Sequence, residues 1–157
     1  MISNDILRSV RFMLNISDRQ IAAIIQEGGM EVGLVDVLPW MKKEDEAGFQ
    51  ICDDTVLARF LDGLIIFKRG RQADRPLPPL ELPVYNNQVL KKLRVAFELR
   101  DDDIIAILET VDLRVSKAEL GAFFRAPDHK NYRRCGDQFL RNFLKGLTLK
   151  LRPGVDA

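Results

Sequence analysis

A stretch of 13 residues occurs twice in this chain: CDDTVLARFLDGL at residues 52–64 returns as CGDQFLRNFLKGL at residues 135–147. Shifting the sequence by 83 positions aligns residues 4–69 with residues 87–152 without a gap, and about one aligned position in four is identical. Many other aligned positions exchange one apolar residue for another. An ungapped repeat of this length predicts two copies of one fold.

A proline-rich segment, RGRQADRPLPPLELPVYNN, separates the two copies. Proline has no amide donor and disfavours a helical conformation in the residue before it, so we expect an extended linker. The predicted domains are a first helical repeat over residues 1–70, the linker over 71–85, a second helical repeat over 86–152 and a tail over 153–157.

Each copy has the pattern of about four helices. Apolar residues recur at helical spacing, as in Ile21, Ile24 and Ile25. Ser17 is a candidate N-cap, and the SKAE sequence at residues 116–119 has the pattern of a capping box. The alternation that is typical of strands is hard to find. The sequence therefore predicts an all-α protein made of two tandem homologous helical units.

Some positions predict local detail. Ser3 is the candidate N-cap of the first helix. Pro39 lies inside the third predicted helix and is expected to kink or shorten it, whereas Ala122 occupies the equivalent place in the second copy. Gly63 and Gly146 are equivalent and lie inside the fourth helix, where glycine costs about 1 kcal/mol relative to alanine. Close approach of another helix is the favoured explanation, and a kink is the alternative.

Composition limits the classes of function. The chain has 24 basic and 23 acidic residues and a net charge of +1, which gives no global argument for binding nucleic acid or a membrane. The start of the chain lacks the pattern of a signal peptide, and its apolar runs are far shorter than a membrane span. Two cysteines do not make a disulfide framework. We expect a cytoplasmic protein without a membrane partner.

Three stretches are similar to a known family: NDILRSVRFML, LPWMKKEDEAGFQICDDTVLARFLDGLI and HKNYRRCGDQFLRNFLKGLTLKLRP. Together they resemble the YehS-like family of small bacterial proteins, which are built from a tandemly repeated domain of unknown function (DUF1456). The likeness covers nearly the whole chain. It implies a bacterial cytoplasmic protein with two homologous helical domains, and it implies no catalytic residues because the family has no established activity.

Residues that support catalysis or metal binding are sparse. His129 is the sole histidine, and Cys135 lies six residues from it, so a nucleophile–base pair is conceivable. Cys52 and Cys135 are equivalent in the repeat, however, and are better explained as small buried residues that precede a helix. One histidine and two cysteines are too few for a structural zinc site. We expect no catalytic residue, no metal and no cofactor.

The acidic run DDD at residues 101–103 has two explanations. Carboxylates could bind a hard cation, but they also interact favourably with the dipole at a helix N-terminus. The first copy has DRQ at residues 18–20, so it offers no matching cation site. The helix-end explanation is favoured.

The second and third predicted helices of each copy follow the order seen in helix-turn-helix proteins. The segment between them is longer than the usual turn of three or four residues. The third helices are also poor in residues that read bases, with VDV at 35–37 and AEL at 118–120. A paired-helix core unit is therefore favoured over a helix that enters a DNA groove.

The copies differ most in charge. Residues 42–69 contain 5 basic and 6 acidic residues, whereas residues 125–152 contain 8 basic and 2 acidic residues, giving net charges of −1 and +6. Arg134, Gln138, Arg141 and Lys145 have a spacing that predicts one face of the fourth helix. Arginine binds phosphate with two donors, and tyrosine stacks on bases. The predicted nucleic-acid or anion-binding residues, called the basic patch below, are Lys130, Tyr132, Arg133, Arg134, Arg141 and Lys145.

The alternative for these residues is a solvated helix face, or salt bridges to the acidic loop at residues 44–46. If the basic patch is functional, the chain is a non-enzymatic binding module whose second copy contacts an acidic partner, with the backbone of RNA or DNA favoured. A protein–protein adaptor, or a dimerising regulatory protein that does not bind nucleic acid, is the alternative function. An enzyme ranks third, because general acid and base groups are not clustered.

Overall fold

A computed structural model describes residues 1–72 and 74–157 of the chain. These residues form eight helices and no strand, which confirms the prediction of an all-α protein. Ala73, inside the predicted linker, lies outside the described residues. The helices are α1 (Ser3–Leu14), α2 (Asp18–Glu27), α3 (Leu34–Trp40), α4 (Asp54–Arg69), α5 (Asn86–Ala96), α6 (Asp101–Glu109), α7 (Lys117–Ala122) and α8 (Asp137–Leu151).

The chain divides into a first unit, Met1–Val84, and a second unit, Tyr85–Ala157. Each unit contains four helices, and every helix of the second unit begins 83 residues after its counterpart in the first. The left-handed residue after the first helix is also repeated, with φ of 53° at both Asn15 and Glu98. The internal repeat of the sequence is therefore a repeat of structure, and the prediction of two tandem four-helix units is confirmed.

Equivalent apolar residues fill the core of each unit. The fully buried side chains include Phe60 in the first unit and Phe143 in the second, which are equivalent positions of α4 and α8. Leu7 and Leu90 are likewise fully buried on α1 and α5. Burial of a large apolar side chain contributes roughly 1.5–3 kcal/mol, so each of these shared positions stabilises its unit by about that amount.

The repeated glycine marks the place where two helices of a unit cross. A Cβ atom on Gly63 would overlap the carbonyl oxygen of Ile24 on α2, and a Cβ on Gly146 would lie 2.5 Å from the carbonyl oxygen of Ile107 on α6. The expectation of close helix approach is thus correct for both units. The first crossing is the tighter of the two because α2 also contributes a glycine, Gly28, at its end, where the second unit has a valine.

A buried asparagine ties the first helix of each unit to the segment before the last helix. Asn4 Nδ2 donates to the carbonyl oxygens of Trp40 (3.0 Å) and Gln50 (2.9 Å), and its Oδ1 accepts the backbone N–H of Cys52 at 2.9 Å. Asn87 makes the same three bonds at the equivalent positions, to Phe123, Arg133 and Cys135. All three partners are main-chain groups, so this asparagine fixes the backbone of the loop that follows the third helix.

The lengths of the third helices bear on the expectation for Pro39. α3, which contains Pro39, has seven residues, whereas α7, with Ala122 in that place, has six. Pro39 therefore does not shorten the third helix relative to that of the second copy, and the alternative expectation of a kink stays a prediction. Both helices end where Gln50 or Arg133 donates its N–H to the carbonyl of residue 39 or 122. These carbonyls are thereby bonded from outside the helix in both units.

The predicted helix starts are correct at some positions and wrong at another. Ser17 Oγ accepts the N–H of Gln20 at 3.1 Å, and Ser116 Oγ accepts the N–H of Glu119 at 3.0 Å. Ser3 is not an N-cap, because α1 begins at Ser3 and Ile2 takes the capping position. The Ile2 N–H is bonded to the carboxylate of Asp5, which is the reciprocal bond of a capping box.

Candidate nucleic-acid interface

The basic patch lies on two parts of the second unit. Lys130, Tyr132, Arg133 and Arg134 belong to the loop between α7 and α8, whereas Arg141 and Lys145 lie on α8. The prediction that Arg134 shares one helical face with Gln138 is wrong, because α8 begins only at Asp137. Arg134 lies in the extended backbone just before the helix, between two residues that Asn87 fixes.

All the cationic residues of the patch are exposed, and Tyr132 is half-buried. The second unit is described in full. Within it the side chains of Lys130, Arg133, Arg141 and Lys145 form no ion pair and no hydrogen bond. A cation without a partner stays hydrated and can exchange its water for phosphate without breaking an intramolecular bond. Exposed cations of this kind favour binding to a polyanion.

Arg134 differs from the other cations, because its guanidinium lies over the ring of Tyr85 with Cζ 4.6 Å from the ring centroid. A cation over an aromatic face is attracted by the ring quadrupole, by about 0.5–1 kcal/mol at an exposed site. Tyr85 is 43% exposed and its backbone N–H donates to Gln88 Oε1 at 3.1 Å. Sequence reasoning missed Tyr85, which it placed in the linker over residues 71–85.

The repeat register contained a signal for this pair. Tyr85 is equivalent to Ile2 and Arg134 is equivalent to Ile51, so the first unit has two isoleucines where the second has an aromatic ring and a cation. The same contrast runs through the rest of the patch. The residues of the first unit that are equivalent to the patch, in order, are Ala47, Phe49, Gln50, Ile51, Ala58 and Asp62, and none of them is basic.

One carboxylate lies among these cations. Asp137 is in the first turn of α8 and accepts a hydrogen bond of 2.7 Å from Asn86 Nδ2. This bond holds the pKa of Asp137 below its usual range, and the positive charge of Arg141 acts in the same direction. Asp137 is therefore ionised at neutral pH and offsets part of the positive charge of the patch.

The Cys–His arrangement that the sequence made conceivable is not formed. His129 is exposed and its Nδ1 accepts the N–H of Asn131 at 2.9 Å, while the Cys135 thiol is buried and donates to the carbonyl of Gly136 at 3.6 Å. Burial, followed by the charge of Asp137, raises the pKa of Cys135 to about 12. Such a thiol is neutral at physiological pH, which is the opposite of an activated nucleophile.

Cys52 repeats these features in the first unit. It is free and buried, and burial followed by the charges of Asp53 and Asp54 raises its pKa to about 12. In the described part of the chain, no group of three or more histidine, cysteine, aspartate or glutamate residues is arranged to hold a metal ion. The acidic run at 101–103 instead serves α6, since Asp103 accepts the N–H of Arg100 at 2.7 Å and Asp101 pairs with Arg94.

The helix pairs that suggested a helix-turn-helix have long connections. α2 ends at Glu27 and α3 begins at Leu34, while α6 ends at Glu109 and α7 begins at Lys117. These intervals exceed the usual turn of three or four residues, and the third helix of each unit is short. None of the helices in residues 1–72 and 74–157 combines the length and apolar character that crossing a membrane requires.

Comparison with known proteins gives a consistent grouping. The family model described as "Protein of unknown function (DUF1456)" matches the chain twice, at residues 3–70 and 86–153. The chain is similar to "Uncharacterized protein YehS" of Escherichia coli (strain K12), with 51% identity over 150 residues that cover 96% of each chain. No solved structure matches the chain.

Proposed function

We propose that this chain, which belongs to the DUF1456 family, is a non-enzymatic module of the bacterial cytoplasm that binds the phosphate backbone of nucleic acid through its second unit. The observation that carries the proposal is the set of exposed cations on this unit, four of which have no ion-pair partner within it. The equivalent positions of the first unit are neutral or acidic. The shared scaffold is thus kept while the charge of one surface changes.

The loop geometry supports the same proposal. The main chain that carries Arg133 and Arg134 is bonded to Asn87 on both sides, through the Arg133 carbonyl at 2.8 Å and the Cys135 N–H at 2.9 Å. A loop that is ordered before binding pays less conformational entropy when it meets its partner. The cations of the loop are therefore presented to phosphate at fixed positions.

Binding to RNA and DNA at several salt concentrations tests the proposal. Each phosphate contact contributes roughly 0.7–0.9 to the slope of log affinity against log salt, so binding should weaken steeply as salt rises. Arg134→Ala combined with Arg141→Ala should weaken binding and flatten the slope by about 1.4–1.8 if each arginine contacts one phosphate. The helical content should not change, since both side chains are exposed.

A charge-matched control separates the patch from net charge. Lys91→Ala combined with Arg114→Ala removes two exposed cations of the second unit that lie outside the basic patch. This control should lose less affinity than the patch variant. Equal losses in the two variants, or no binding to either nucleic acid at low salt, would refute the proposal.

A second candidate function, the protein–protein adaptor, is favoured by apolar side chains that the first unit exposes. Val35 on α3 is 78% exposed and Ile51 is 68% exposed, and their equivalents in the second unit are an alanine and an arginine. Affinity capture from a bacterial lysate, with and without nuclease, distinguishes the two functions. A protein partner that survives nuclease and is lost in Val35→Ser with Ile51→Ser would favour the adaptor.

A further inference from the structure

We infer that the second unit binds single-stranded RNA, with an unpaired base stacked against Tyr85 and Arg134. This inference rests on the proposed function and names the class of nucleic acid and the residues that select it. Tyr85 is outside the basic patch that the sequence predicted, and it enters the site only through its contact with Arg134.

The Tyr85–Arg134 pair has a geometry that suits stacking. The Arg134 guanidinium covers part of the Tyr85 ring at 4.6 Å from its centroid, and 43% of Tyr85 remains open to solvent. Bases stack on aromatic rings and on the plane of an arginine guanidinium. Because the guanidinium lies over the ring, a base that joins this stack would contact the exposed part of the ring or the outer face of the guanidinium, which is charged.

Hydrogen bonds fix the backbone at both Tyr85 and Arg134. Tyr85 is the residue before α5, and its N–H is bonded to Gln88 Oε1. Arg134 is in the segment that Asn87 holds from both sides. A stacking surface that is built into the fold loses little freedom when a base arrives, so more of the stacking energy remains for binding.

A stacking surface favours a single strand over a duplex. In a duplex the bases are stacked on each other and paired, so their faces are not available to a protein side chain. A site with phosphate-binding cations alone would serve either form. Arg133, an exposed cation, is the residue directly before Arg134, so a charge for backbone phosphate lies close along the chain to the stacking surface. This combination fits a strand whose bases are free.

The choice of RNA follows from where unpaired bases occur. Cellular RNA presents them in loops, bulges and ends, whereas chromosomal DNA is held as a duplex. The first unit cannot provide this site, because Ile2 and Ile51 replace both the ring and the guanidinium. The first unit therefore has no equivalent of the Tyr85–Arg134 pair.

Fluorescence anisotropy with four labelled probes tests the inference: a single-stranded RNA of about 12 nucleotides, within the usual range of site sizes, the same strand with abasic sites, the DNA strand of the same sequence, and the RNA duplex. Wild type should bind the intact RNA strand most tightly. Tyr85→Ala should lower that affinity about tenfold, from the loss of one stacked base, and should leave the abasic strand and the duplex unchanged. Tyr85→Phe should retain most of the affinity.

Two further variants distinguish the loss of the aromatic ring from a loss of folding. Tyr85→Leu retains a side chain of similar bulk without a π face, so it should behave as Tyr85→Ala does while its helical content matches wild type. Ile51→Ala, at the position of the first unit that is equivalent to Arg134, is the control and should bind like wild type.

The outcomes separate the two proposals. If the strand and the duplex bind equally, or if Tyr85→Ala weakens both to the same extent, the stacking site is refuted while phosphate binding stands. If the DNA strand binds more tightly than the RNA strand, the assignment to RNA is wrong. If no probe binds at low salt, the proposed function and this inference both fail.

Discussion

Asn87 Oδ1 accepts the backbone N–H of Cys135 at 2.9 Å, and the amide group of the same side chain donates to two main-chain carbonyls. The pair Asn4 and Cys52 repeats this relationship, also at 2.9 Å. The asparagine and the cysteine are identical in the two copies because each has a structural task. The asparagine satisfies buried main-chain groups, and the cysteine is a small buried residue at the start of the last helix.

Replacing this asparagine should strongly destabilise the unit that contains it. Asn87→Ala leaves the buried N–H of Cys135 and two carbonyl groups without their partners, and each unsatisfied group costs about 1–3 kcal/mol. We expect the free energy of unfolding of the second unit to fall by at least about 3 kcal/mol, measured by urea denaturation with circular dichroism. Asn131→Ala, an exposed asparagine of the same unit, should change it by less than about 0.5 kcal/mol. Similar values for the two variants would contradict the structural role.

Replacing the repeated glycine with alanine should destabilise the two units to different extents, because their helix crossings differ in tightness. Gly63→Ala places a Cβ on the main chain of Ile24, and Gly146→Ala places one 2.5 Å from the carbonyl oxygen of Ile107. Both should be destabilising, with the larger loss at Gly63. Gly121→Ala is the control, because nothing lies within 4 Å of a Cβ there and alanine is favoured in a helix by up to about 1 kcal/mol. Thermal unfolding of the three variants gives the order, and a stable Gly63→Ala protein would show that the helices can separate at low cost.

Both cysteines should react slowly in the folded protein. Their pKa of about 12, against an ordinary 9.0, lowers the thiolate fraction at pH 8 about a thousandfold. Alkylation with iodoacetamide, followed by mass spectrometry, should label the denatured chain rapidly and the native chain barely. Cys135→Ser should leave folding and nucleic-acid binding nearly unchanged. Fast labelling at mildly acidic pH would indicate an activated thiol and refute this account.

The same thiols predict how stability depends on pH at the alkaline end. The pKa of each thiol is higher in the folded protein than in the unfolded chain, so folding favours the neutral thiol. The contribution of the two thiols to the free energy of unfolding is therefore fully present below pH 9. It is lost as the pH rises from about 9 towards 12, because the unfolded chain then releases protons that the folded chain retains. The double variant Cys52→Ser with Cys135→Ser should lose less stability over this interval than wild type.

Removing the carboxylate within the basic patch should strengthen binding to a polyanion. Asp137→Asn deletes a negative charge that lies at the start of α8, the helix that carries Arg141. We expect affinity for nucleic acid at pH 7 to rise about threefold, since an exposed charge acts weakly through water. Asp156→Asn, in the exposed tail, is the control. The pKa of Asp137 is lowered by its bond to Asn86, so the gain should persist down to acidic pH and vanish only as the pH falls through that pKa. A gain of the same size in Asp156→Asn would show that only net charge matters.

The sequence was sufficient for most of the fold. Because the repeat is ungapped, each helix signal in one copy could be checked in the other, as with Gly63 and Gly146, whose shared position correctly indicated a helix crossing. The end of α3 was not predictable in this way. The Pro39 carbonyl near this end accepts a hydrogen bond from Gln50, which lies 11 residues further along the chain, and local rules for proline do not include such a contact.

The candidate site was predictable in composition but not in geometry. Spacing placed Arg134 on a helix face, whereas α8 starts three residues later and Arg134 turns to Tyr85 instead. These two residues are 49 positions apart, and Tyr85 lies at the end of the proline-rich segment that marks a linker. Only the coordinated replacement of Ile2 and Ile51 by tyrosine and arginine pointed to a contact between them. A single sequence shows such a replacement, but it does not show the distance between the two side chains.

The buried asparagine also has an evolutionary consequence. Every bond that it makes to the loop ends on a main-chain atom, so no side chain between residues 124 and 134 takes part in the anchor. Mutations in that loop can therefore accumulate without loss of foldability, and Ala47, Gln50 and Ile51 of one copy correspond to Lys130, Arg133 and Arg134 of the other. The two copies thus carry different loop side chains on the same hydrogen-bonded frame. New specificities could be selected there by randomising side chains alone, in the manner of an antibody loop library.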